Sequence, residues 1–447
     1  MPKKQLTIEE KMNNALVPEE EWPYKLPDNW CWVRLGELFQ VNPKNNVEND
    51  DIEAAFIPMA LIDSDFSGEY SYEIKSWKEA KKGHTQFANK DVAFAKISPC
   101  FENGKAFIAN NLPNGIGAGT TELVVLRNIK IVPQYTFYLL STDRFVNGGR
   151  HTYSGVVGQQ RISMDYVKSY AFPLPPLPEQ QRIVSRIESL FAKLDEAKEK
   201  IQNVLDGAEK RKAAILHQAF TGKLTAKWRK ENGVSDDSWE KRDFKGVAEI
   251  KSNLVDPISY QDFPHIAPDN IEKKTGELLD YNTVAEDKVK SGKHRFYSGQ
   301  ILYSKIRPYL SKVVMVDFDG LCSADMYPIE ARDGVSAKYL WYYMLSDIFL
   351  NQASTAGSRT VLPKINQKEL NKIKINITVI SEQKEIVRLL DKFLNKEKSI
   401  CKSCEVSLAA IEAMKKAILA KAFRGELGTN NPAEKSSKEL LREIISI

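Results

Sequence analysis

The chain is poor in the residues that cross-link, ligate metals or catalyse. Cysteine occurs five times in 447 residues, at Cys31, Cys100, Cys322, Cys401 and Cys404, and histidine occurs five times. So few and scattered cysteines exclude a disulfide-stapled small fold, and the histidines show no metal-ligand spacing. Cys401 and Cys404 have redox or zinc spacing, but no second pair accompanies them. They sit in a helical pattern and read as two small helix residues. No run approaches the ~18 apolar residues that span a bilayer, and the opening MPKKQLTIEEKMNN lacks the apolar centre of a secretory leader. A cytoplasmic protein with reduced thiols and no membrane partner is expected. A large charge excess is also missing: 64 basic against 59 acidic side chains leave +5, which permits a nucleic-acid partner without arguing for one.

Signatures of chemistry are absent as well. There is no Gly-x-x-x-x-Gly-Lys-Ser/Thr phosphate loop, and Leu174-Pro175-Pro176-Leu177 lacks the amide and the aromatic of an amino-methyltransferase signature. Gly115-Ile116-Gly117-Ala118-Gly119 suggests a cofactor loop, but it follows a turn-like Asn110–Asn114, and the matching place around Gly320 lacks the series. No nucleophile–base pair is legible. No catalytic residue, metal ligand or bound cofactor is assigned to this chain.

What the sequence does contain is itself, twice. Residues 179–224 and 382–427 align without a gap at an offset of 203, with identities that include Glu179/Glu382, Gln180/Gln383, Ile183/Ile386, Lys212/Lys415, Phe220/Phe423 and Gly222/Gly425. Both copies carry an apolar stripe in alternating steps of three and four. The first stripe runs Ile183, Ile187, Leu190, Leu194, Ala197, Ile201, Val204, Ala208 and Ile215, broken by Arg211. The second runs Ile386, Leu390, Phe393, Ile400, Cys404, Ile411, Met414 and Ile418, with Glu397 and Ser407 interrupting it. This is a coiled-coil seam. The first copy predicts one helix of roughly 60 Å from Glu179 to about Phe220, and the interruptions make the second the less regular. Gly222 and Gly425 stand where C-terminal caps belong.

The segments before the helices repeat more faintly. Phe87–Pro99 matches Phe296–Pro308, Glu122-Leu123 matches Asp325-Met326, and Arg161-Ile162-Ser163 matches Lys364-Ile365-Asn366. Short β-rich runs (91–97, 123–126, 300–306, 312–316) mix with amphipathic helices around 134–147 and 336–350. These are two similar α+β globules. The order is globule, long helix, globule, long helix, and pairing along the seams requires the second helix to run antiparallel to the first. The result is a pseudo-two-fold internal repeat, two like domains held apart by a stiff spacer. Such an object suits a DNA duplex, which presents similar surfaces once per turn of about 34 Å.

The run Pro173-Leu174-Pro175-Pro176-Leu177-Pro178-Glu179-Gln180 leads into one helix. The helices end in Ala219-Phe220-Thr221-Gly222-Lys223-Leu224 and Ala422-Phe423-Arg424-Gly425-Glu426-Leu427, and Lys305-Ile306-Arg307-Pro308-Tyr309-Leu310 lies between them. From about Pro27 to Leu427 the chain closely resembles the specificity subunit of type I restriction–modification systems. The resemblance implies an N-terminal extension (1–27), a first target-recognition domain (28–178), a central helical spacer (179–232), a second target-recognition domain (233–381), a distal helical spacer (382–427) and a C-terminal tail (428–447). It implies that each globule reads half of a split, asymmetric double-stranded DNA site. The helices would set the spacer and dock two methyltransferase subunits, with nuclease–translocase subunits joining to cut. S-adenosylmethionine, ATP and Mg are then expected on the partners. One departure is clear: Thr225-Ala226-Lys227-Trp228-Arg229 follows the first helix and has no counterpart after the second, which continues Gly428-Thr429-Asn430-Asn431-Pro432. An alternative from another class is a coiled-coil scaffold whose globules bind proteins.

Readers of base edges need forked donors and amides on accessible loops. Two equivalent loops supply them, 148–161 and 354–364. The candidates for DNA contact are Lys96, Arg150, His151, Ser154, Gln159, Gln160, Arg161, Lys305, Arg307, Ser358, Arg359, Thr360 and Lys364, with Lys44, Asn45 and Asn46 weaker. The basic runs 210–212, 227–230 and Lys415-Lys416 read as solvated or subunit-facing.

Overall fold

A computed structural model describes residues 7–127, 130–356 and 363–446. The chain divides into two compact units, one made of residues 1–200 and 407–447 and the other of residues 201–406. Their strand content repeats. In the first unit one four-stranded sheet orders Gln40–Val41, Leu123–Arg127, Val92–Ala95 and Ala106–Ile108. A second orders Glu73–Ser76, Glu53–Ile57, Ile116–Gly119 and Thr85–Ala88. In the second unit the matching sheets are Ala248–Ile250, Met326–Ala331, Ile301–Ser304, Val313–Met315, and then Asn282–Thr283, Pro264–Ile266, Gly320–Cys322, Lys293–Phe296, the latter extended by Leu254–Val255. Each second sheet contains one parallel pair, Ala55 opposite Gly117 and His265 opposite Leu321.

The glycine series 115–119 belongs to this packing. A Cβ on Gly117 would lie 2.3 Å from the Phe87 ring and one on Gly119 2.5 Å from the Ile57 carbonyl. Gly320 meets the Phe296 ring in the same way, at 2.4 Å. These glycines make room for a buried phenylalanine in each unit, which is why one of them is repeated and the whole series is not.

The single helices expected around 134–147 and 336–350 are each two. Pro133–Leu140 is followed by Asp143–Arg150, and Ala337–Met344 by Asp347–Ala356. The hydroxyls of Thr142 and Ser346 accept from the amides of Phe145 and Phe349 and start the second helix of each pair. The Ser141-Thr142-Asp143 and Ser346-Asp347 runs carry that signal.

The long helices reverse the expected order of regularity. The second is unbroken over 44 residues, Ile380–Phe423. The first is interrupted at Gly207, between Leu177–Asp206 and Ala208–Phe220. Arg211 explains the break: its guanidinium turns back to the Val204 carbonyl at 3.0 Å, and a Cβ on Gly207 would stand 2.6 Å from it. The same guanidinium meets Glu397 at 3.0 Å, so these two polar interruptions of the seams satisfy each other.

Pairing within each unit is antiparallel. In the first, Asp195 meets Lys415 and Lys198 meets Glu412. In the second, Arg211 meets Glu397 and Arg229 meets Glu382. Ile183, Ile187, Ile386 and Leu390 are buried, whereas Val204 and Met414 are exposed and lie off the seam. Gly222 and Gly425 take φ of 74° and 75°, the left-handed caps their positions call for. Helices Ile8–Ala15 and Ser437–Ile445 complete the first unit, tied by Ser437 donating its amide to Asn29 O at 2.9 Å. Among the described residues no helix is long and apolar enough to cross a membrane.

Candidate nucleic-acid interface

The same backbone frame carries the candidate loop in both units. In the first, strand Val92–Ala95 runs into Lys96, whose amide donates to Glu122 O at 2.8 Å and whose carbonyl accepts from Ile162 at 3.0 Å. Ser98 then donates to Gln160 O at 2.7 Å, and Ile97 bridges Arg161. In the second unit Lys305 donates to Asp325 O and accepts from Ile365, both at 2.9 Å, while Arg307 donates to Pro363 O at 2.7 Å and Ile306 bridges Lys364.

Each frame closes with an ion pair at the repeat offset. Arg161 grips Glu122 with two parallel bonds of 2.7 and 2.9 Å, and Lys364 stands 3.4 Å from Asp325. The fork on Glu122 holds its carboxyl below the ordinary range. The guanidinium plane of Arg161 is therefore aimed by a carboxylate and half open to solvent, the arrangement that pre-orders a bidentate donor. The repeat aligns Glu122 with Asp325 but gives neither a role.

The first loop is a hairpin. Ser154 and Arg161 exchange amide–carbonyl bonds at 2.9 and 3.0 Å. Ser154 and Gln159 are exposed, Gln160 is half-buried, and His151 is exposed just past Arg150, the exposed last residue of helix Asp143–Arg150. Lys96 is half-buried at the base. In the second unit Lys364 and Arg307 are exposed, Arg307 at φ 48°. Ser358, Arg359 and Thr360 lie outside the described residues. Asn45 serves structure: it donates to Phe87 O at 2.8 Å and accepts from Arg127 at 2.7 Å.

Lys305 donates its ammonium to Ala324 O at 2.6 Å and lies over the Tyr327 ring. It lines an open cavity of about 580 Å³ with His294, Leu254, Gln367 and Lys368. His294 is 4% exposed, and its Nδ1 has no partner among the described residues. Burial and then Lys305 lower its pKa. Its single position inside a β run gave no warning.

Elsewhere the basic runs are absorbed: Arg211 by Glu397, Lys212 by the Lys274 carbonyl, Lys415 by Asp195. A cleft of about 700 Å³ in the first unit is lined by Asp65, Glu102, Asp143, Glu188, Asp195 and Glu412 against Lys415 and Lys416. That balance disfavours a polyanion there.

Comparison with known proteins agrees with this organisation. The model of the type I restriction modification DNA specificity domain matches residues 27–206 and 236–402. The chain is 31% identical to the type I restriction enzyme EcoDI specificity subunit of Escherichia coli over 454 residues, covering 94% of this chain and 95% of that protein. It is 41% identical over 211 residues to the Escherichia coli EcoAI specificity subunit, covering 47% of this chain and 35% of the relative. In fold it is similar to the HsdS subunit from Thermoanaerobacter tengcongensis (TM-score 0.66, 21% identity, 91% of this chain and 99% of that one). It is also similar to a chain from a structural study of type I restriction–modification complex assembly (TM-score 0.70, 21% identity, 90% and 100%). Two repeated α+β units, paired long helices and family matches to both halves place this chain in the type I restriction–modification DNA specificity family, as a specificity subunit with two target-recognition domains.

Proposed function

We propose that each unit reads one half of a split, asymmetric site in double-stranded DNA and that the paired long helices measure the unread spacer. The carrying observation is the repeated frame: Lys96, Glu122 and Arg161 in one unit, Lys305, Asp325 and Lys364 in the other, on the same backbone bonds. Two like frames with different side chains suit two unlike half-sites. Arg161 and Arg307 are forks for guanine or phosphate, Gln159 and Gln160 amides for adenine, and Lys96, Arg150, His151, Ser154, Lys305 and Lys364 support grip and register. Ser358, Arg359 and Thr360 are assigned to the second loop on sequence alone. The helices dock two methyltransferase subunits, and nuclease–translocase subunits complete a cutting assembly in the cytoplasm. S-adenosylmethionine, ATP and Mg belong to those partners, and this chain supplies recognition and no chemistry.

Retardation of target and random duplexes by the full chain with its methyltransferase subunits, at one stated salt concentration, tests this reading. A large preference for one bipartite sequence is expected. Equal affinity for every sequence refutes it and favours the scaffold alternative. Methylome sequencing of cells carrying the chain and its partner supplies the target.

A further inference from the structure

The most exposed large apolar side chains of the described residues sit together at one loop tip. Val156 is 79% exposed and Val157 89%. They cap the hairpin closed by Ser154 and Arg161, between Gly155 at φ 108° and Gly158 at φ 85°. A Cβ on Gly158 would meet nothing within 4 Å, so the tip stands clear of its own unit. Local structure does not require these valines: β-branched residues are poor turn formers, and the tip has no core beneath it. The surroundings name the occupant by charge. No carboxylate occurs from Asn147 to Met164, while Arg150 and Arg161 do; Glu122 is already engaged by Arg161, and the neighbouring Glu102 sits beside Tyr153 at the base of the ribbon with a buried carboxylate oxygen. An apolar point on an acid-free, basic-flanked ribbon suits a partner that is anionic outside and apolar at one place within. The major groove of DNA is such a partner: it admits a two-stranded ribbon between its phosphates and exposes the thymine C5-methyl on its floor.

We infer that the Val156–Val157 tip enters the major groove of the half-site read by the first unit and packs against thymine methyl groups there. The inference rests on the reading that this unit contacts DNA, and adds the groove, the chemical group and the residues. Gln159, Gln160 and Arg161 then lie two to four residues beyond the apolar contact, placed to reach neighbouring base edges.

The test uses the full chain with its methyltransferase subunits and duplexes carrying the determined site, with thymine in the first half-site kept or replaced by uracil, which lacks only the methyl. The parent protein should lose roughly fourfold in affinity for each methyl it buries. A Val156→Ser/Val157→Ser variant removes every side-chain methyl from the tip and places a turn-forming residue at two exposed positions, so folding is not at stake. It should bind thymine and uracil duplexes alike, while the same exchange in the second half-site changes nothing that depends on the variant. A first half-site with no thymine on either strand, equal binding of both duplexes by the parent, or unaltered discrimination in the variant overturns the inference and leaves half-site reading intact. A variant that discriminates normally but no longer assembles with methyltransferase assigns the tip to a protein contact instead. Absence of any sequence preference in the parent refutes the broader reading as well.

Discussion

Arg229 Nη1 lies 2.6 Å from Glu382 Oε1, with the side chains 9% and 0% exposed. Thr225, Trp239 and Thr378 add hydroxyl and indole donors at 2.5, 3.2 and 2.7 Å to the same carboxylate. The extension that follows the first long helix thus neutralises a charge buried at the start of the second. Removing one partner of such a pair leaves the other stranded. Arg229→Met should cost about 3–5 kcal/mol of stability, read from the urea midpoint, and adding Glu382→Gln should recover most of it. Equal loss in single and double variants would show that the ion pair is not the cause.

The first unit solves the same problem without a bonded arginine, Arg182 acting on the carboxylate only through its charge. Glu179, also fully buried, takes indole and amide donors from Trp30 at 2.8 Å and Asn430 at 2.9 Å. Burial pushes its carboxyl above the ordinary range, against the opposing pull of those donors. A carboxyl raised on folding costs nothing while protonated in both states, and it weakens the native state as pH climbs through the folded value. Glu179→Gln should therefore gain stability relative to the parent as pH rises from about 4 towards 8. A difference in denaturation midpoint that does not change with pH would contradict this.

Arg161 and Lys364 occupy equivalent places in different units, so their effects should separate. Arg161→Ala should weaken discrimination in one half-site by about 1–3 kcal/mol and Lys364→Ala in the other. Affinity for duplexes altered in each half reads this directly; a loss spread over both halves would argue for a role in folding or assembly.

Spacer length should follow helix length. Seven residues inserted after Lys198, with seven inserted before its partner Glu412, preserve the seam and add roughly 10 Å. Methylome sequencing should then show the gap between half-sites longer by about three base pairs. An unchanged gap would end the measuring role.

Half-sites should also move independently. Replacing residues 28–178 by the corresponding segment of another specificity subunit should change one half of the methylated sequence and preserve the other.

The internal repeat made much of this legible. Offsets of 203 and 209 align Gly117 with Gly320, Phe87 with Phe296 and Glu122 with Asp325, and the structure puts each pair in the same place. Four things escaped it. The break at Gly207 depends on a side chain four residues later folding back. The complementarity of Arg211 and Glu397 emerges only once antiparallel register is known, since each alone looks like a flaw in its stripe. The roles of Thr225 and Arg229 belong to a partner more than 150 residues away, and His294 to a cavity assembled from five separate stretches, neither of which local pattern encodes.

The first unit takes residues from both ends of the chain, joined where Ser437 bonds to Asn29 and reaches the Cys31 sulfur. During synthesis its opening 200 residues emerge early yet must wait for the last forty, whereas residues 201–406 are contiguous and can finish first.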